Sequence, residues 1–333
     1  MADNSYVEES FVRDTRYIPE RITADGKPDG FAAEADRYRL VVSRACPWAH
    51  RTVIVRRLLG LEGAISMGIT GPVHDADSWT FDLDPGEVDP VLGIPKLKDA
   101  YEARPDGYKP GVTVPAIVDV RNGQVVTNDF KQMTEDFATQ WTDFHRAGAP
   151  DLYPEALRAE IDEVAQLVYE DVNNGVYRCG FAGKQESYER AYHRLFDRLD
   201  WLSERLEDRR YLVGDHITEA DIRLFTTLVR FDAVYHGHFK CNRSKLSEMP
   251  VLWAYARDLF QTPGFGDTVN FDQIKAHYYA THLDINPTAI IPAGPDARPW
   301  LTEHGRESLG GSPFGEGFAP GPVSAEEAVP ELA

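Results

Sequence analysis

The sequence has few cysteines, fewer basic than acidic residues and no long apolar run. Its 333 residues include three cysteines, too few and too widely spaced for a disulfide scaffold, which indicates a reducing compartment. The 54 acidic and 35 basic side chains give a formal charge of −19, which excludes a dedicated nucleic-acid binder. No segment approaches the roughly 18 apolar residues of a membrane span, and the acidic N-terminus has neither the basic start nor the apolar stretch of a signal peptide. We therefore expect a cytoplasmic protein with no membrane partner and no nucleic-acid partner.

Strand and helix patterns alternate in the first half of the chain. The runs YRLVVS and AISMGI are typical of strands, and the helical pattern between them ends at Gly60. Two further strand-like runs, VTVPAIVDV and VVTNDF, flank Asn122-Gly123, a strong hairpin signal, and the helical segment MTEDFATQW follows. The pattern predicts a βαβ unit followed by a ββα unit, with an insertion at 70–110 that is rich in Asp, Gly and Pro.

The second half of the chain is helical in pattern. From Pro154 onward the apolar residues recur at spacings of three and four, which predicts an all-α region. Thr218 is expected to cap one of these helices, and Asp221 to return a hydrogen bond to the backbone amide of the cap. The last 33 residues contain ten glycines and prolines and six glutamates against one arginine, which predicts a segment that is disordered or draped over the surface.

Cys46 lies between a predicted strand and a predicted helix. In that position its sulfur is close to unpaired backbone amides and to the positive end of the helix dipole, and both stabilise a thiolate. Pro47 suits the first helical turn, because its missing N–H is not needed there. Position 49 is alanine, so the Cys-x-x-Cys motif of disulfide reductases is absent. The placement favours a single cysteine nucleophile over the alternative, a buried structural cysteine.

Val114-Pro115 opens a strand after a turn-rich loop. A proline in such a place can adopt the cis form and expose the preceding backbone amide and carbonyl. Together with Cys46 after the first strand, this proline is typical of a thioredoxin-like domain.

Four longer segments carry a more specific resemblance: CPWAHR, NNGVYRCGFA, ITEADIRLFTTLVRFDAVYHGHFKCN and IKAHYYATHLDINPTAIIPAGP. They are similar to segments of the glutathionyl-hydroquinone reductases, the xi class of glutathione transferases, and the similarity covers roughly residues 30–295. The resemblance implies an α/β thioredoxin-like N-terminal domain followed by an all-helical glutathione-transferase domain. It also implies a homodimer that removes glutathione reductively from thioether adducts of hydroquinones.

We therefore expect four parts in the chain. They are an extended N-terminal segment at 1–36, a thioredoxin-like thiol-binding domain at 37–150 with the insertion at 70–110, an all-helical substrate domain at 151–290, and an extended or disordered tail at 291–333.

The resemblance also implies roles for individual residues. Cys46 matches the nucleophile of the family, and Trp79 in the insertion matches a tryptophan beside the thiol. Tyr177 and Tyr278 match tyrosines near the aromatic substrate, with Tyr279 as the alternative to Tyr278. The positions that match the thiol-binding residues are Val114, Pro115, Asn128 and Asp129.

Two short motifs depart from the family pattern. Where family members usually have Arg-Val-Thr-Val-Pro and Asn-Glu-Ser, this chain has Gly111-Val-Thr-Val-Pro and Asn128-Asp129-Phe130. The Glu-Ser pair normally holds the γ-glutamyl end of glutathione; Phe130 lacks the hydroxyl, Asp129 has a shorter reach and Gly111 removes a cation. The backbone of Val114 can still pair with the cysteinyl part of any cysteine-derived thiol.

These departures predict which thiol is the cosubstrate. The thiol is glutathione or, more in keeping with the altered motifs, a sugar-containing thiol such as mycothiol, whose hydroxyls suit the carboxylate of Asp129. Mycothiol would fit an actinobacterial member of the family with a GC-rich genome. The sequence has 26 arginines against 9 lysines, a ratio that hints at such a genome.

Neither a metal nor a tightly bound cofactor is expected. The chain has no GxGxxG, phosphate loop or HExxH motif. His236, His238 and Cys241 are close enough in sequence to suggest zinc, but their segment resembles a family stretch with no metal role. An aromatic stripe is interpreted as core rather than as a cofactor site: Phe225, Phe231 and Tyr235.

Three functions remain open from the sequence. In the leading hypothesis the Cys46 thiolate attacks the sulfur of a thiol–hydroquinone thioether, and a second thiol resolves the mixed disulfide. Tyr177 or Tyr278 then hydrogen-bonds the ring oxygen. The alternatives are a general thiol transferase or deglutathionylase, and a non-catalytic interaction protein that keeps the transferase fold. The intact nucleophile motif argues against the last, because binding alone does not need a cysteine at a helix start.

Overall fold

The computed structural model describes residues 9–105, 107–108 and 111–332. Outside this range lie the first eight residues of the predicted N-terminal segment, residues 106, 109 and 110 of the predicted insertion and residue 333 of the predicted tail. The described chain forms two compact units. The α/β unit holds Thr15–Ala149, and the helical unit holds residues 9–14 together with 150–332.

A four-stranded mixed sheet is the centre of the α/β unit. The strands are β1 Ile22–Thr23, β2 Phe31–Ala32, β3 Tyr38–Val42, β4 Ile65–Ile69, β5 Ala116–Asp119 and β6 Gln124–Thr127. The helices are α1 Pro47–Leu59, α2 Leu97–Glu102 and α3 Phe130–Thr139. The sheet order is β4-β3-β5-β6, in which β3 is parallel to β4 while β5 is antiparallel to β3 and to β6; β1 and β2 form a separate parallel pair. The predicted βαβ and ββα units, and with them the thioredoxin-like fold, are confirmed.

Burial and two glycines explain where these elements begin and end. The central strand β3 is buried along its whole length, and even Arg39 is only 5% exposed because its guanidinium pairs with buried Asp89 at 2.8 Å. Helix α1 ends at Gly60, whose φ of +73° is a left-handed conformation that favours glycine. The predicted turn between β5 and β6 is present, with Gly123 at a φ of +71°.

The predicted insertion contains more structure than its composition indicates. An antiparallel bridge joins Thr80 to Lys96, and α2 begins directly afterwards. The Lys96 Nζ atom lies 2.8 Å from a carboxylate oxygen of Asp75. These contacts fold the segment back on itself and hold Trp79, which is 7% exposed.

The helical unit confirms the predicted all-α region. Its α-helices in the described chain are α4 Arg158–Val168, α5 Gly175–Gly180, α6 Gln185–Arg205, α7 Glu219–Arg230, α8 Pro250–Gln261 and α9 Phe271–Thr281. Single π-helical turns, Tyr169–Asn173 and Phe231–Tyr235, continue α4 and α7. Within the described ranges no helix is both long and apolar enough to cross a membrane.

The predicted capping box at the start of α7 is present. The Asp221 carboxylate accepts a hydrogen bond from the Thr218 backbone amide at 2.9 Å. It also accepts one from the Leu212 amide at 2.9 Å and one from the Tyr255 hydroxyl at 2.7 Å. The side chain of Asp221 is fully buried, so the cap also ties α7 to α8 and to the loop before it.

From Asp296 to Leu332 the chain forms two short 3₁₀ helices, Arg298–Leu301 and Arg306–Leu309, joined by turns and irregular segments, and it packs on helices of its own unit. The Trp300 ring lies 4.7 Å from the Trp253 ring and 5.0 Å from the Phe260 ring. Arg306, which is 5% exposed, donates hydrogen bonds to the carbonyl of Leu206 at 3.1 Å and to that of Arg210 at 3.1 Å. Two anchors, one aromatic and one charged, therefore fix this segment.

Candidate functional site

Cys46 is at the N-terminus of α1, just after the loop that leaves β3. Its backbone is extended, and its carbonyl accepts the first helical hydrogen bond from the His50 amide at 2.9 Å. Pro47 follows as the first helical residue. The Cys46 side chain is 9% exposed and forms no disulfide. A thiolate in this position is stabilised by the positive end of the α1 dipole.

Val114 and Pro115 lie beside this thiol. The peptide bond between them is cis, and Ala116, the next residue, pairs with Val41 in the antiparallel register of β5 and β3. This register brings the residues before β5 next to the loop after β3. The Cys46 Sγ atom lies 3.4 Å from the Val114 carbonyl oxygen, so the predicted nucleophile and the predicted thiol-binding backbone are in contact.

Asn128 follows β6 and is 1% exposed. Its Oδ1 atom accepts a hydrogen bond from the Ile18 amide at 2.7 Å, and its Nδ2 atom donates one to Thr113 Oγ1 at 3.0 Å. Thr113 precedes Val114 in the chain. The Asn128 side chain therefore supports the backbone beside Cys46.

Asp129 is the N-cap of α3. Its Oδ1 atom accepts hydrogen bonds from the backbone amides of Lys131 at 3.2 Å and Gln132 at 3.5 Å. Among the described residues both of these bonds end on Oδ1, which leaves Oδ2 for a ligand. The Asp129 carboxylate thus caps α3, a role that the comparison of its motif with the family's Asn-Glu-Ser did not reveal.

Phe130 belongs to an aromatic cluster that sequence reasoning missed. Its ring centroid lies 4.7 Å from that of Trp48 and 5.4 Å from that of Tyr17. The Arg51 guanidinium lies over both the Trp48 ring, at 4.9 Å, and the Phe130 ring, at 5.2 Å. The available signal was the spacing of Trp48 and Arg51, which places them about one turn apart on the helix that follows Cys46.

Trp79 is held by the insertion of the same unit. Its ring lies 4.7 Å from the ring of His74. Ion pairs of Lys96 with Asp75 and of Lys98 with Asp77 flank it. Its contact with the thiol stays a prediction.

A groove of about 620 Å³ opens on the surface of the α/β unit. Its lining includes Tyr17, Arg21, Arg104 and Tyr108. The Tyr108 hydroxyl accepts a hydrogen bond from Asn128 Nδ2 at 3.2 Å, so the groove borders the side chain that supports the thiol site. The Arg21 guanidinium is bound to Asp136, and that of Arg104 is bound to Glu20 and to the Val125 carbonyl. The groove therefore offers a ligand the ring faces of its tyrosines beside polar groups that already have protein partners.

The two predicted substrate tyrosines meet in the helical unit. The hydroxyl oxygens of Tyr177, on α5, and Tyr278, on α9, are 2.7 Å apart. Tyr278 is 1% exposed and Tyr177 is 9% exposed, and the Arg13 guanidinium lies 4.8 Å from the Tyr177 ring centroid. The hydroxyl of Tyr279 instead donates to the Ala233 carbonyl at 3.3 Å. Of the two adjacent tyrosines, Tyr278 is therefore the one joined to Tyr177.

Tyr235 adds a third phenol to this pair. Its side chain is fully buried, as the interpretation of the aromatic stripe as core requires, but its hydroxyl oxygen also lies 2.9 Å from that of Tyr278. Burial raises the pKa of both Tyr235 and Tyr278 well above the usual value for tyrosine. Both hydroxyls are therefore protonated at neutral pH and are available as donors.

Two histidines of the helical unit, His238 and His282, are buried, and so are its two cysteines. His238 Nε2 lies 3.2 Å from His282 Nδ1, and burial lowers the pKa of His238 to about 4. Cys179 and Cys241 are 2% and 0% exposed, and burial raises the pKa of the Cys241 thiol well above its ordinary value. In the part of the chain that the structure describes, no group of three or more His, Cys, Asp or Glu side chains is arranged to hold a metal ion.

Both halves of the chain match known family models. Residues 45–140 match the model described as glutathione S-transferase, N-terminal domain, and residues 185–258 match the one described as glutathione S-transferase, C-terminal domain. The first match contains Cys46 and all the predicted thiol-binding residues, whereas Tyr177 and Tyr278 lie outside the second. The helical unit is thus similar to the second domain of glutathione transferases.

Three proteins show how far the similarity extends. The glutathionyl-hydroquinone reductase YqjG of Escherichia coli (strain K12) is 45% identical over 86% of this chain and 89% of its own length. Its glutathione-bound structure, 43% identical, covers 90% of this chain and 98% of that chain with a TM-score of 0.82. The crystal structure of a glutathione transferase from Gordonia bronchialis is 70% identical and covers 95% of this chain and 98% of that chain, with a TM-score of 0.94. A xi-class transferase from Natrialba magadii is 40% identical and covers 91% of both chains, with a TM-score of 0.82.

Proposed function

This chain belongs to the glutathionyl-hydroquinone reductases, the xi class of glutathione transferases, and we propose that it cleaves thiol–hydroquinone thioethers through a mixed disulfide on Cys46. The observation that carries the proposal is the position of Cys46 at the start of α1, with its sulfur 3.4 Å from the Val114 carbonyl oxygen. A helix N-terminus stabilises the thiolate, which is the nucleophilic form of cysteine.

The proposed reaction has two steps that balance. In the first, the Cys46 thiolate attacks the sulfur of R–S–Ar, where Ar is the hydroquinone ring; the S–S bond forms, the S–aryl bond breaks and the aryl group takes a proton. In the second, the thiolate of a free thiol attacks the R sulfur and releases Cys46 and the disulfide of the small thiol. The aryl group gains two electrons and two thiols lose them, so the thiol itself is the reductant.

The tyrosines are proposed to act on the ring oxygen. In the keto tautomer of the substrate, the carbon that carries sulfur has already taken the proton; as the S–C bond of this tautomer breaks, its electron pair enters the ring π system and negative charge develops on the conjugated oxygen. Tyr177 and Tyr278 are protonated partners in one hydrogen-bonded pair and suit the role of donors to that oxygen.

A sugar-containing thiol is the cosubstrate we favour over glutathione. Phe130 packs on Trp48 and offers no hydroxyl to a γ-glutamyl group. Oδ2 of Asp129 remains to accept from a sugar hydroxyl, and the groove beside Asn128 provides the ring faces of Tyr17 and Tyr108 for a sugar to pack on. Mycothiol has this chemistry, since it joins a cysteine derivative to sugar groups.

Trapping the intermediate tests the proposal. The protein is mixed with one equivalent of a thiol–hydroquinone thioether and no free thiol, and the released hydroquinone is measured beside the intact protein mass. We expect one hydroquinone per chain and the mass of the thiol on the Cys46 peptide. Comparison of kcat/KM for the mycothiol and glutathione adducts of one hydroquinone then identifies the thiol; equal or better use of glutathione would refute the preference.

Other outcomes point to the alternatives. Transfer of the thiol from a simple mixed disulfide, without release of hydroquinone from a thioether, indicates a general thiol transferase or deglutathionylase. If neither substrate forms an adduct on Cys46, the remaining hypothesis is a non-catalytic interaction protein that keeps the transferase fold.

The assembly and the location are proposals of the same kind. We propose a homodimer in the cytoplasm; the family membership supports the first statement, and the three cysteines, none of which forms a disulfide in the described chain, support the second. Sedimentation velocity and cell fractionation test these two statements; a monomer at micromolar concentration would refute the first.

A further inference from the structure

Tyr235 is a fully buried phenol whose hydroxyl touches the proposed substrate tyrosines. We propose that Tyr235 is a positioning residue for the reaction, which sets the direction of the hydrogen bonds through Tyr278 and Tyr177 toward the ring oxygen. This inference rests on the proposed function, because it assigns a task to a residue that acts through the two tyrosines.

The geometry makes Tyr278 the centre of a short network. Its hydroxyl oxygen lies 2.9 Å from that of Tyr235 and 2.7 Å from that of Tyr177. Exposure rises along the series, from 0% for Tyr235 through 1% for Tyr278 to 9% for Tyr177. The network thus has a buried end at Tyr235 and an outer pair formed by Tyr278 and Tyr177.

Counting hydrogens fixes the direction of this network. Each phenol has one hydroxyl hydrogen, and Tyr278 cannot donate to both neighbours. Tyr235 is fully buried; its hydroxyl oxygen lies 2.9 Å from that of Tyr278 and also interacts with the Tyr177 hydroxyl, and a donor left without an acceptor there would cost its full desolvation. Tyr235 therefore donates into the outer pair, with Tyr278 at 2.9 Å as its acceptor. The hydrogen bond between Tyr278 and Tyr177 uses a second hydrogen, and the third lies on the outer pair, where a substrate oxygen can compete for it with the Tyr235 oxygen.

Electrostatics strengthens the same arrangement. A hydroxyl that accepts a hydrogen bond becomes a better donor itself, so the bond from Tyr235 makes Tyr278 a stronger donor. Arg230 is fully buried at the end of α7, and its positive charge favours negative charge on the Tyr235 and Tyr278 oxygens. Tyr235 follows five residues later, at the end of the π-helical turn that continues α7. The buried end of the network thus stabilises charge that shifts inward from the ring oxygen during the reaction.

The contribution of Tyr235 belongs mainly to the transition state. The ring oxygen gains negative charge only as the S–aryl bond breaks, and a donor that strengthens with this charge raises kcat more than it lowers KM. A substrate without a ring oxygen gains nothing from the network. This difference separates a positioning role from a purely structural one.

The test uses Tyr235→Phe with two substrates, a thiol–hydroquinone thioether and an aliphatic mixed disulfide of the same thiol. We expect kcat for the thioether to fall roughly tenfold with KM changed less than about threefold, and turnover of the aliphatic disulfide to stay within about twofold. Tyr211→Phe is the matched control, because Tyr211 is an equally buried tyrosine of the same unit that belongs to no part of this network. It should leave both reactions unchanged.

A double-mutant cycle with Tyr278→Phe tests whether Tyr235 acts through Tyr278. If it does, Tyr235→Phe has less than about a twofold effect on the thioether reaction once the Tyr278 hydroxyl is gone. Equal losses with both substrates, no loss with either, or a full loss in the Tyr278→Phe background each overturn the inference. These outcomes leave the proposed function standing, whereas a wild-type enzyme that reduces neither substrate removes both.

Discussion

The three cysteines differ in what surrounds each sulfur. Cys46 lies at the start of α1 beside the Val114 carbonyl, while Cys179 and Cys241 are enclosed within the helical unit. Burial disfavours a charged thiolate, and it raises the pKa of Cys241 well above its ordinary value. Only Cys46 therefore combines a helix N-terminus with some exposure, as its place between a strand pattern and a helix pattern predicts.

We expect Cys46→Ser to abolish the reduction of thioether adducts and to leave the fold intact. A serine hydroxyl at neutral pH is a far weaker nucleophile than a thiolate, so the rate should fall below a few per cent of wild type. Cys179→Ser and Cys241→Ser are the matched controls and should retain activity. The measurement is the release of hydroquinone, with circular dichroism as the check on folding; substantial turnover by Cys46→Ser would refute the single-cysteine mechanism.

Protonation of His238 should destabilise the protein in acid. Burial is the main cause that lowers the pKa of His238 to about 4; Lys240 also lowers it, while Asp284 and a hydrogen bond with the Tyr278 backbone raise it. Between pH 6.5 and pH 4 the unfolded chain thus binds a proton that the folded chain does not, and the free energy of unfolding falls as the pH drops through this window. Allowing for partial solvent screening, the loss is about 2 kcal/mol.

Urea unfolding at pH 6.5, 5.5 and 4.5 measures this contribution. The urea midpoint of His238→Gln should vary less with pH than that of wild type, because glutamine does not titrate. His193→Gln, at an exposed position on α6, is the control and should follow the wild-type profile. Parallel profiles for wild type and His238→Gln would show that His238 does not contribute.

Side-chain partners were the part of the site that the sequence did not predict. Cys46 and Pro115 follow from local patterns, because a strand, a turn and a helix start are each short in sequence. The contact of Tyr177 with Tyr278 spans 101 residues and that of Tyr235 with Tyr278 spans 43, so both depend on how helices pack. Periodicity correctly placed Tyr235 in the core but says nothing about where its hydroxyl points.

Among the helices and strands, the features marked by capping and hairpin signals were predicted best from the sequence. The capping box of α7 and the Asn122-Gly123 turn are fixed by neighbouring residues and were found from sequence. The two shortest helices were missed: α2 lies in a segment rich in Asp, Gly and Pro, and α5 begins and ends with glycine. A six-residue helix gains its stability from packing rather than from propensity, so its sequence carries little signal.

Asp129 allows the cap of α3 to be separated from a role in thiol binding. Asp129→Asn keeps an oxygen that accepts from the Lys131 and Gln132 amides but removes the charge, whereas Asp129→Ala removes both. We expect Asp129→Ala to cost about 1 kcal/mol of stability and Asp129→Asn much less. If the carboxylate also binds the thiol, Asp129→Asn raises KM for the thiol adduct while its thermal midpoint stays near wild type.

The control is Asn270→Ala, since Asn270 caps α9 by accepting from the Gln273 amide and has no predicted role toward the thiol. It should lower stability without a change in KM for the thiol. An Asp129→Asn variant with wild-type KM would show that Asp129 serves only as the cap.

At the scale of the whole molecule, the dominant feature is the formal charge of −19. An excess of acidic groups keeps a protein soluble and repels anions at distances set by the ionic strength. Near Cys46 the sign is locally reversed, because α1 has its positive end there and carries Arg51 over the Phe130 ring. The site thus presents a local positive field within a molecule that is negative overall.

The dependence of kcat/KM on salt concentration should reveal whether a thiol adduct that approaches the site is affected more by the negative charge of the whole protein or by the positive end of α1. A glutathione adduct has a net negative charge, whereas a mycothiol adduct has neutral sugar hydroxyls in place of the carboxylates. Raising the ionic strength from 0.01 M to 0.1 M shortens the screening length from about 30 Å to about 10 Å, which weakens long-range repulsion more than contacts within the site. We therefore expect kcat/KM for the glutathione adduct to rise about two- to fivefold, and that for the mycothiol adduct to change less than about 1.5-fold. The diester of the glutathione adduct, which lacks both carboxylates but keeps the γ-glutamyl ammonium, has a net positive charge; as the control it should show a fall in kcat/KM on adding salt in place of the increase. A fall in kcat/KM for the glutathione adduct on adding salt would mean that the positive field around α1 outweighs the net charge, and the acidic surface would then play no part in selecting the thiol.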